Sequence, residues 1–402
     1  MYELLIVILV SSYGCNSNDD VETPQPIDLQ KESLYKNVTL TNLPHQDLTG
    51  LSMDAAVADI DQDGDLDIVI ANEHRPNIVL INDGNAVFTN ESQHRIPQAD
   101  HDSEDVGIAD FDQDGDPDII IVSEDDQTNE YYINQGNGYF SNAGDRLPVT
   151  GTSNSGMVSD VNNDGFPDFI IGNNGQNYLL INDGSGGFID NSIALVGAFP
   201  DVTQDIEMGD VDGDGDADMI IGNEDKNRLL INQGNGFFKD ESEMRLAYRS
   251  EDEETREADF GDVDGDGDLD LFFANVEAFV PGALRQNRLL LNDGSGNFTD
   301  ATANLPVDSD RSLDGDFFDL DRDGDLDIIT SNINGDQFGG ETPYRVYLND
   351  GTSKFFLDQG TILPVDAVGR GLDVEFADFN GDGKKDLYMC SRGTVDLLLL
   401  AR

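Results

Sequence analysis

One aspartate-rich nonapeptide returns seven times along this chain of 402 residues. DIDQDGDLD at 59–67 is followed by DFDQDGDPD at 110–118, DVNNDGFPD at 160–168 and DVDGDGDAD at 210–218. DVDGDGDLD at 262–270, DLDRDGDLD at 319–327 and DFNGDGKKD at 378–386 complete the set, with successive starts 51, 50, 50, 52, 57 and 59 residues apart. A period of that size marks a modular array, in which each repeat buries its apolar face only by stacking on its neighbours. A single core of unrelated elements is excluded, because one core rarely grows past ~250–300 residues.

Each repeat reads as four strands. A short alternating stretch such as Ala55-Ala56-Val57-Ala58 leads into the acidic loop. An apolar run follows, IVIAN at 68–72 in the first repeat, of the kind buried on both faces. A second apolar run, NIVLIND at 77–83 or RLLLNDG at 288–294, ends in Asn-Asp-Gly or Asn-Gln-Gly, a strong hairpin signal. A last strand has the form GxFxD, as in GNFTD at 296–300. Four short strands in ~50 residues with no helical period predict one antiparallel sheet per repeat, and seven such sheets predict an all-β, seven-bladed β-propeller. The seventh repeat stops at GTVDLLLLAR (393–402) without a GxFxD strand, while residues 34–44 resemble FTDATANLP at 298–306 without the strands that should precede it. The N-terminal strand is therefore expected to complete the last blade and close the ring, which also removes exposed sheet edges.

The acidic loop has the chemistry of a calcium site. Carboxylates at positions 1, 3, 5 and 9 can converge on one point, Gly at position 6 allows the sharp turn, and the backbone carbonyl at position 7 adds an oxygen. The sets are Asp59, Asp61, Asp63, Asp65 and Asp67 in the first repeat, and Asp110, Asp112, Asp114, Asp116 and Asp118 in the second. The third has Asp160, Asn162, Asp164, Phe166 and Asp168, and the fourth Asp210, Asp212, Asp214, Asp216 and Asp218. Asp262, Asp264, Asp266, Asp268 and Asp270 serve the fifth, and Asp319, Asp321, Asp323, Asp325 and Asp327 the sixth. The seventh has Asp378, Asn380, Asp382, Lys384 and Asp386. Several hard oxygens on a flexible loop favour Ca²⁺ over Mg²⁺. Four carboxylates within ~5 Å repel by several kcal/mol even at an effective dielectric of ~20, so up to seven Ca²⁺ are expected. An EF-hand would place Glu at position 12, where this chain has Ile70, Ile121, Ile171, Ile221, Phe273, Thr330 and Met389. The third and seventh loops, with Asn162 and Asn380 as ligands and Phe166 and Lys384 at position 7, are expected to bind more weakly.

The seven DxDxDGxxD loops and GxF strands resemble the FG-GAP/VCBS repeat family, related to the integrin α-subunit propeller, over residues 34–402. The resemblance implies calcium in the loop between the first and second strands, on one face of the propeller. It also implies partner binding on the opposite face. The other domains of integrins have no counterpart here, so the partner stays open.

The remaining features bear on location and ligand. Leu4–Val10 is too short to span a bilayer, and with Ser11-Ser12-Tyr13-Gly14-Cys15 it resembles a bacterial lipoprotein signal peptide acylated at Cys15. Residues 1–14 are thus expected to be the signal, 15–33 a flexible tether, and the product an exported outer-membrane or cell-surface lipoprotein. A net charge of −60 argues against nucleic acid and anionic lipid as partners, leaving the lipid anchor as the membrane contact. A monomer is expected, and Cys390 reads as core. The residue five before each loop is Asp54, Asp105, Ser155, Asp205, Glu257, Asp314 or Asp373, a set expected to ring a hydrated acidic channel mouth, with a cation or sugar seat as the alternative. The four histidines, His45, His74, His94 and His101, fall with Arg75 and Arg95 in loops around the first repeat, expected on the face away from calcium. Together with the longer loops at 276–287 and 332–345 and the charged stretch 251–257, they form the candidate ligand face. No HExxH or GxSxG spacing accompanies them, so no catalytic residue is assigned. The leading expectation is a calcium-binding, surface-anchored module for a protein or glycan. The alternative is a carbohydrate-active enzyme such as a calcium-assisted polysaccharide lyase.

Overall fold

The computed structural model describes residues 32–44, 48, 50–124, 128–196, 201–249, 253–307, 309–333 and 342–402. The compact unit is Ser33–Arg402, and the expected signal, Cys15 and most of the tether lie outside the described residues. The fold is all-β and propeller-like, and no described helix is long and apolar enough to cross a membrane.

In the first repeat, Ser52–Ala58 pairs with Asp67–Arg75, which pairs with Ile78–Asn82, which pairs with Phe88–Asn90, all antiparallel. The same four-stranded meander recurs with first strands His101–Ala109, Ser153–Ser159, Asp201–Gly209, Thr255–Gly261 and Ser312–Phe318. The last sheet draws on both chain ends. Gly371–Ala377, Asp386–Ser391 and Leu397–Ala401 are joined by Tyr35–Asn37, with Tyr35 opposite Ala401. Sheets are not fully separate. Glu73 pairs with Asp102 and Arg75 with His101, and Asn174 pairs with Val202, which fuses neighbouring repeats edge to edge at two junctions.

The core lies between sheets. The second residue of each acidic loop is apolar and packs with the aromatic of the following repeat's GxF strand. Ile60 clusters with Phe140, Val161 with Phe238, Val211 with Phe298 and Val263 with Phe355. Phe111 meets Phe188 edge-on at 5.5 Å between ring centroids. Leu320 of the sixth repeat takes Tyr35, and Phe379 of the seventh meets Phe88 of the first at 5.4 Å. Removing one such aromatic is expected to cost about 3–5 kcal/mol.

A second tie runs alongside. The Asn read as a hairpin residue donates its side-chain amide backwards to the preceding repeat. Asn134 Nδ2 reaches Ile60 O at 2.9 Å, Asn232 reaches Val161 O at 3.0 Å, and Asn82 reaches Phe379 O at 2.8 Å. Short helical turns follow several last strands, including Ser92–Arg95 and Ser242–Arg245, where the sequence shows no helical period. They form because the turn's first Ser caps two ways: Ser92 N donates to Asn90 Oδ1, and its hydroxyl accepts from Val79 N at 2.8 Å.

Candidate metal centre

The acidic loops share one architecture. At position 1, Asp59 accepts the N–H groups of Asp63 and Gly64, each at 3.1 Å, which curls the loop around its own first carboxylate. Asp63 accepts Asp65 N at 3.0 Å. The fourth residue adopts positive φ, +60° at Gln62 and Gln113 and +64° at Arg322, and the sixth is Gly at +98° in the first loop. Two left-handed residues in nine turn the carboxylates inward, and at Gly64 only Gly does so without strain.

Position 9 begins the second strand. Asp67 is fully buried; its Oδ2 accepts Ile60 N at 3.2 Å and its Oδ1 accepts Asn82 N at 2.9 Å. Burial pushes its pKa up to about 7, partly opposed by those two donors, with Asp61 and Asp63 adding repulsion. Asp118, Asp168, Asp218, Asp270 and Asp327 reach about 7 for the same leading reason, and Asp386 about 6.

Carboxylate oxygens of positions 1, 3 and 9 gather within 4.8 Å of one another: Asp59, Asp61 and Asp67; Asp110, Asp112 and Asp118; Asp210, Asp212 and Asp218. Asp61 Oδ1, Asp110 Oδ1 and Asp212 Oδ1 are buried and make no hydrogen bond. Converging oxygens with lone pairs left over fit a hard cation, which would supply what no donor in the loop does. Asp63, Asp114 and Asp214 at position 5 stand outside these three groups, and each accepts the position 7 N–H of its own loop. In the seventh loop Lys384 Nζ lies 3.1 Å from Asp382 Oδ2, and Asn380 Nδ2 donates to Asp386 Oδ2 at 3.2 Å. That loop neutralises itself in part.

The residues read as one ligand face separate. Arg95 is buried, not on the far face: its Nη2 lies 3.1 Å from Asp61 Oδ2 and its Nη1 donates to Asn137 O at 2.6 Å. It staples the first acidic loop to the second repeat's turn. Arg245 repeats the arrangement with Asp212 at 3.3 Å and Ser295 O. His94, exposed on the Ser92–Arg95 turn, sits beside that staple, so it leaves the far face with Arg95. His74, Arg75 and His101 do come together at the opposite end of the first repeat's second strand. His74 Nδ1 is 3.1 Å from Asp102 Oδ1, and His101 Nε2 is 3.9 Å from Glu130 Oε1. His45 lies outside the described residues. The stretch 276–287 is pinned at its backbone, where buried Glu254 accepts the N–H groups of Ala278 and Val280 at 2.8 and 2.9 Å, while the Phe279 side chain stands exposed.

The seven residues five places before the loops have a second role that residue order does not show. As expected they ring a channel, six of them lining a cavity of about 780 Å³ with Ser155 the exception, and most also serve as straps between repeats. Asp54 accepts Val106 N at 2.8 Å, Asp105 accepts Gly156 N at 2.7 Å, and the Ser155 hydroxyl accepts Ile206 N at 3.1 Å. Asp205 accepts Ala258 N at 3.0 Å, and Asp373 accepts Ala55 N at 3.1 Å. Each sits at a bulge in its strand pair, which turns the side chain toward the next repeat. Cys390 is buried, as expected of a core residue.

The chain belongs to the FG-GAP-like repeat family, whose model matches residues 59–121, 110–159, 160–221, 210–273 and 262–330. Among solved structures, it is similar to BBS1N in complex with ARL6DN, with a TM-score of 0.57, 10% identity, and 92% of this chain and 98% of that one covered. An Agrocybe aegerita lectin that recognises non-reducing terminal N-acetylglucosamine aligns at a TM-score of 0.47 and 19% identity, over 86% of this chain and 87% of the lectin. No curated protein matches the sequence.

Proposed function

We propose that this chain is a closed, seven-bladed calcium propeller, displayed outside the cell, that binds a protein or glycan without catalysis. The observation that carries it is the buried, unpartnered oxygen left at Asp61, Asp110 and Asp212, each facing two further carboxylates. Up to seven Ca²⁺ would sit in the acidic loops, bound by positions 1, 3 and 9, with position 5 shaping the loop and adding charge. When bound, the ions would neutralise repelling carboxylates and clamp the start of each second strand. Ring closure through Tyr35–Asn37 is supported by its pairing with Leu399–Ala401 and by the Phe88–Phe379 contact. The apolar run Leu4–Val10 ahead of Cys15 supports a lipid anchor there, and the −60 charge argues against nucleic acid and anionic lipid as partners.

Two measurements test this reading. Elemental analysis of dialysed full-length protein in millimolar calcium is expected to find at least five ions per chain; fewer than one would overturn the calcium assignment. A glycan array and a surface-protein pull-down, each run with and without EGTA, are expected to show saturable binding lost on chelation. Binding that ignores chelation would separate recognition from the metal.

A further inference from the structure

The straps fail at one place. In the sixth repeat Asp314 holds the position that Asp54, Asp105, Asp205 and Asp373 hold in theirs, yet no N–H of the seventh repeat reaches it. Asp314 is only 3% exposed, and its Oδ2 makes no hydrogen bond. Two residues on, Asp316 Oδ2 is also buried and without one. The fifth repeat compensates differently, with Asp259 accepting Phe317 N at 2.6 Å in place of a bond from Glu257.

A second pattern coincides with that gap. Two places after the strap position, the first three repeats carry Ala56, Gly107 and Met157, whereas the last four carry Glu207, Asp259, Asp316 and Glu375. One half of the channel wall is therefore acidic at two levels. Arg256 and Arg392 are the cationic side chains among the cavity's described lining, and they are drawn to Glu254 and Glu73. Around Asp316 the neighbouring charges are Asp314, Asp259, Asp373 and Glu375, all of one sign.

Buried carboxylate oxygens left without a donor are costly, even with Ser331 and Gly315 N–H beside Asp314, and a chain that places several together needs a proton or a positive ion there. We propose that Asp314 and Asp316, with Glu375 on the seventh repeat's wall of the same cavity, form a further cation site inside the channel, separate from the acidic loops. Its donors are carboxylate oxygens alone, the set chosen by a hard, calcium-class divalent ion. The site ties the sixth repeat to the seventh where the N–H strap is missing.

The test is anomalous diffraction from crystals of the full chain soaked in Tb³⁺, a hard ion of calcium's size, which locates each ion separately. A peak between Asp314 and Asp316 is expected, absent in the D314N/D316N variant while the loop peaks persist. Should that variant not fold, D316N alone is expected to weaken the channel peak at least tenfold relative to the loop peaks. Filled loops with an empty channel would overturn this site and leave the loop assignment standing; a filled channel with empty loops would do the reverse. A wild-type channel holding only shared protons or an organic cation, with no terbium peak, also overturns it.

Discussion

In four repeats the loop end and the channel wall are built from the same residue, aspartate, and use it in opposite ways. In the loops, Asp61 and Asp212 keep a buried oxygen with no donor, facing other carboxylates. Ten residues or fewer away in sequence, Asp54 and Asp205 give an oxygen to a backbone N–H of the next repeat. A carboxylate's role is thus set by the donors around it. Where the neighbouring strand offers an N–H, the acid is a strap; in the loops one oxygen of Asp61 and of Asp212 meets an Arg guanidinium while the other faces only carboxylates.

The comparison can be broken in several ways. Chelation should have the largest effect, because on the proposed reading up to seven loops each lose an ion. If each site sits at ten times its dissociation constant, binding stabilises by ~1.4 kcal/mol per site, and seven sites together rival an ordinary domain's stability. Calorimetry with EGTA is expected to show a melting temperature lower by tens of degrees. An unchanged melt would make the loops as self-sufficient as the straps. Deleting residues 33–44 comes next: it removes Tyr35 from its place with Leu320 and the partner of Leu399–Ala401, and is expected to abolish cooperative unfolding.

Substituting the straps should matter less and should ignore calcium. Asp105→Ala strands Gly156 N and is expected to cost about 1–3 kcal/mol, while Asp105→Asn keeps an acceptor and costs under half as much. Denaturant midpoints with and without calcium check both. A cost that vanished in calcium would place Asp105 among the metal ligands. Lys384→Asp sharpens the loop side, since it removes the ammonium paired with Asp382 and is expected to tighten calcium in the seventh loop about tenfold by titration calorimetry.

The smallest effect is on pH. Burial raises Asp205 to about 8 and Asp396 to about 7. Between about pH 4 and those values the folded chain holds protons that the unfolded chain has released. Stability of the calcium-free protein is therefore expected to fall as pH rises from about 5.5 to 8. Chemical denaturation at the two pH values checks the sign. A rise would mean that carboxylates favoured in their ionised form outweigh Asp205 and Asp396.

Much of this was legible from residue order. The loops, the strand count per repeat and the use of residues 34–44 to finish the last sheet follow from local spacing and from what each chain end lacks. The Arg95 staple escaped because Asp61 and Arg95 are 34 positions apart and meet only once the GxF strand folds back over the loop. The strap role of Asp54 escaped for a similar reason, its donor being 52 residues on. The doubled acids at Glu207, Asp259, Asp316 and Glu375 were visible in the repeat alignment at a column two places beyond the one read.

Sequence by itself determined the repeat, the turn chemistry and the candidate ligands, because dihedral preference and carboxylate spacing act within a few residues of chain. Tertiary structure alone decided which carboxylates receive an N–H from the next repeat and which keep an oxygen facing other carboxylates. Hydrogen-bond donors reach about 3 Å, and which donor arrives there depends on how one sheet lies against the next.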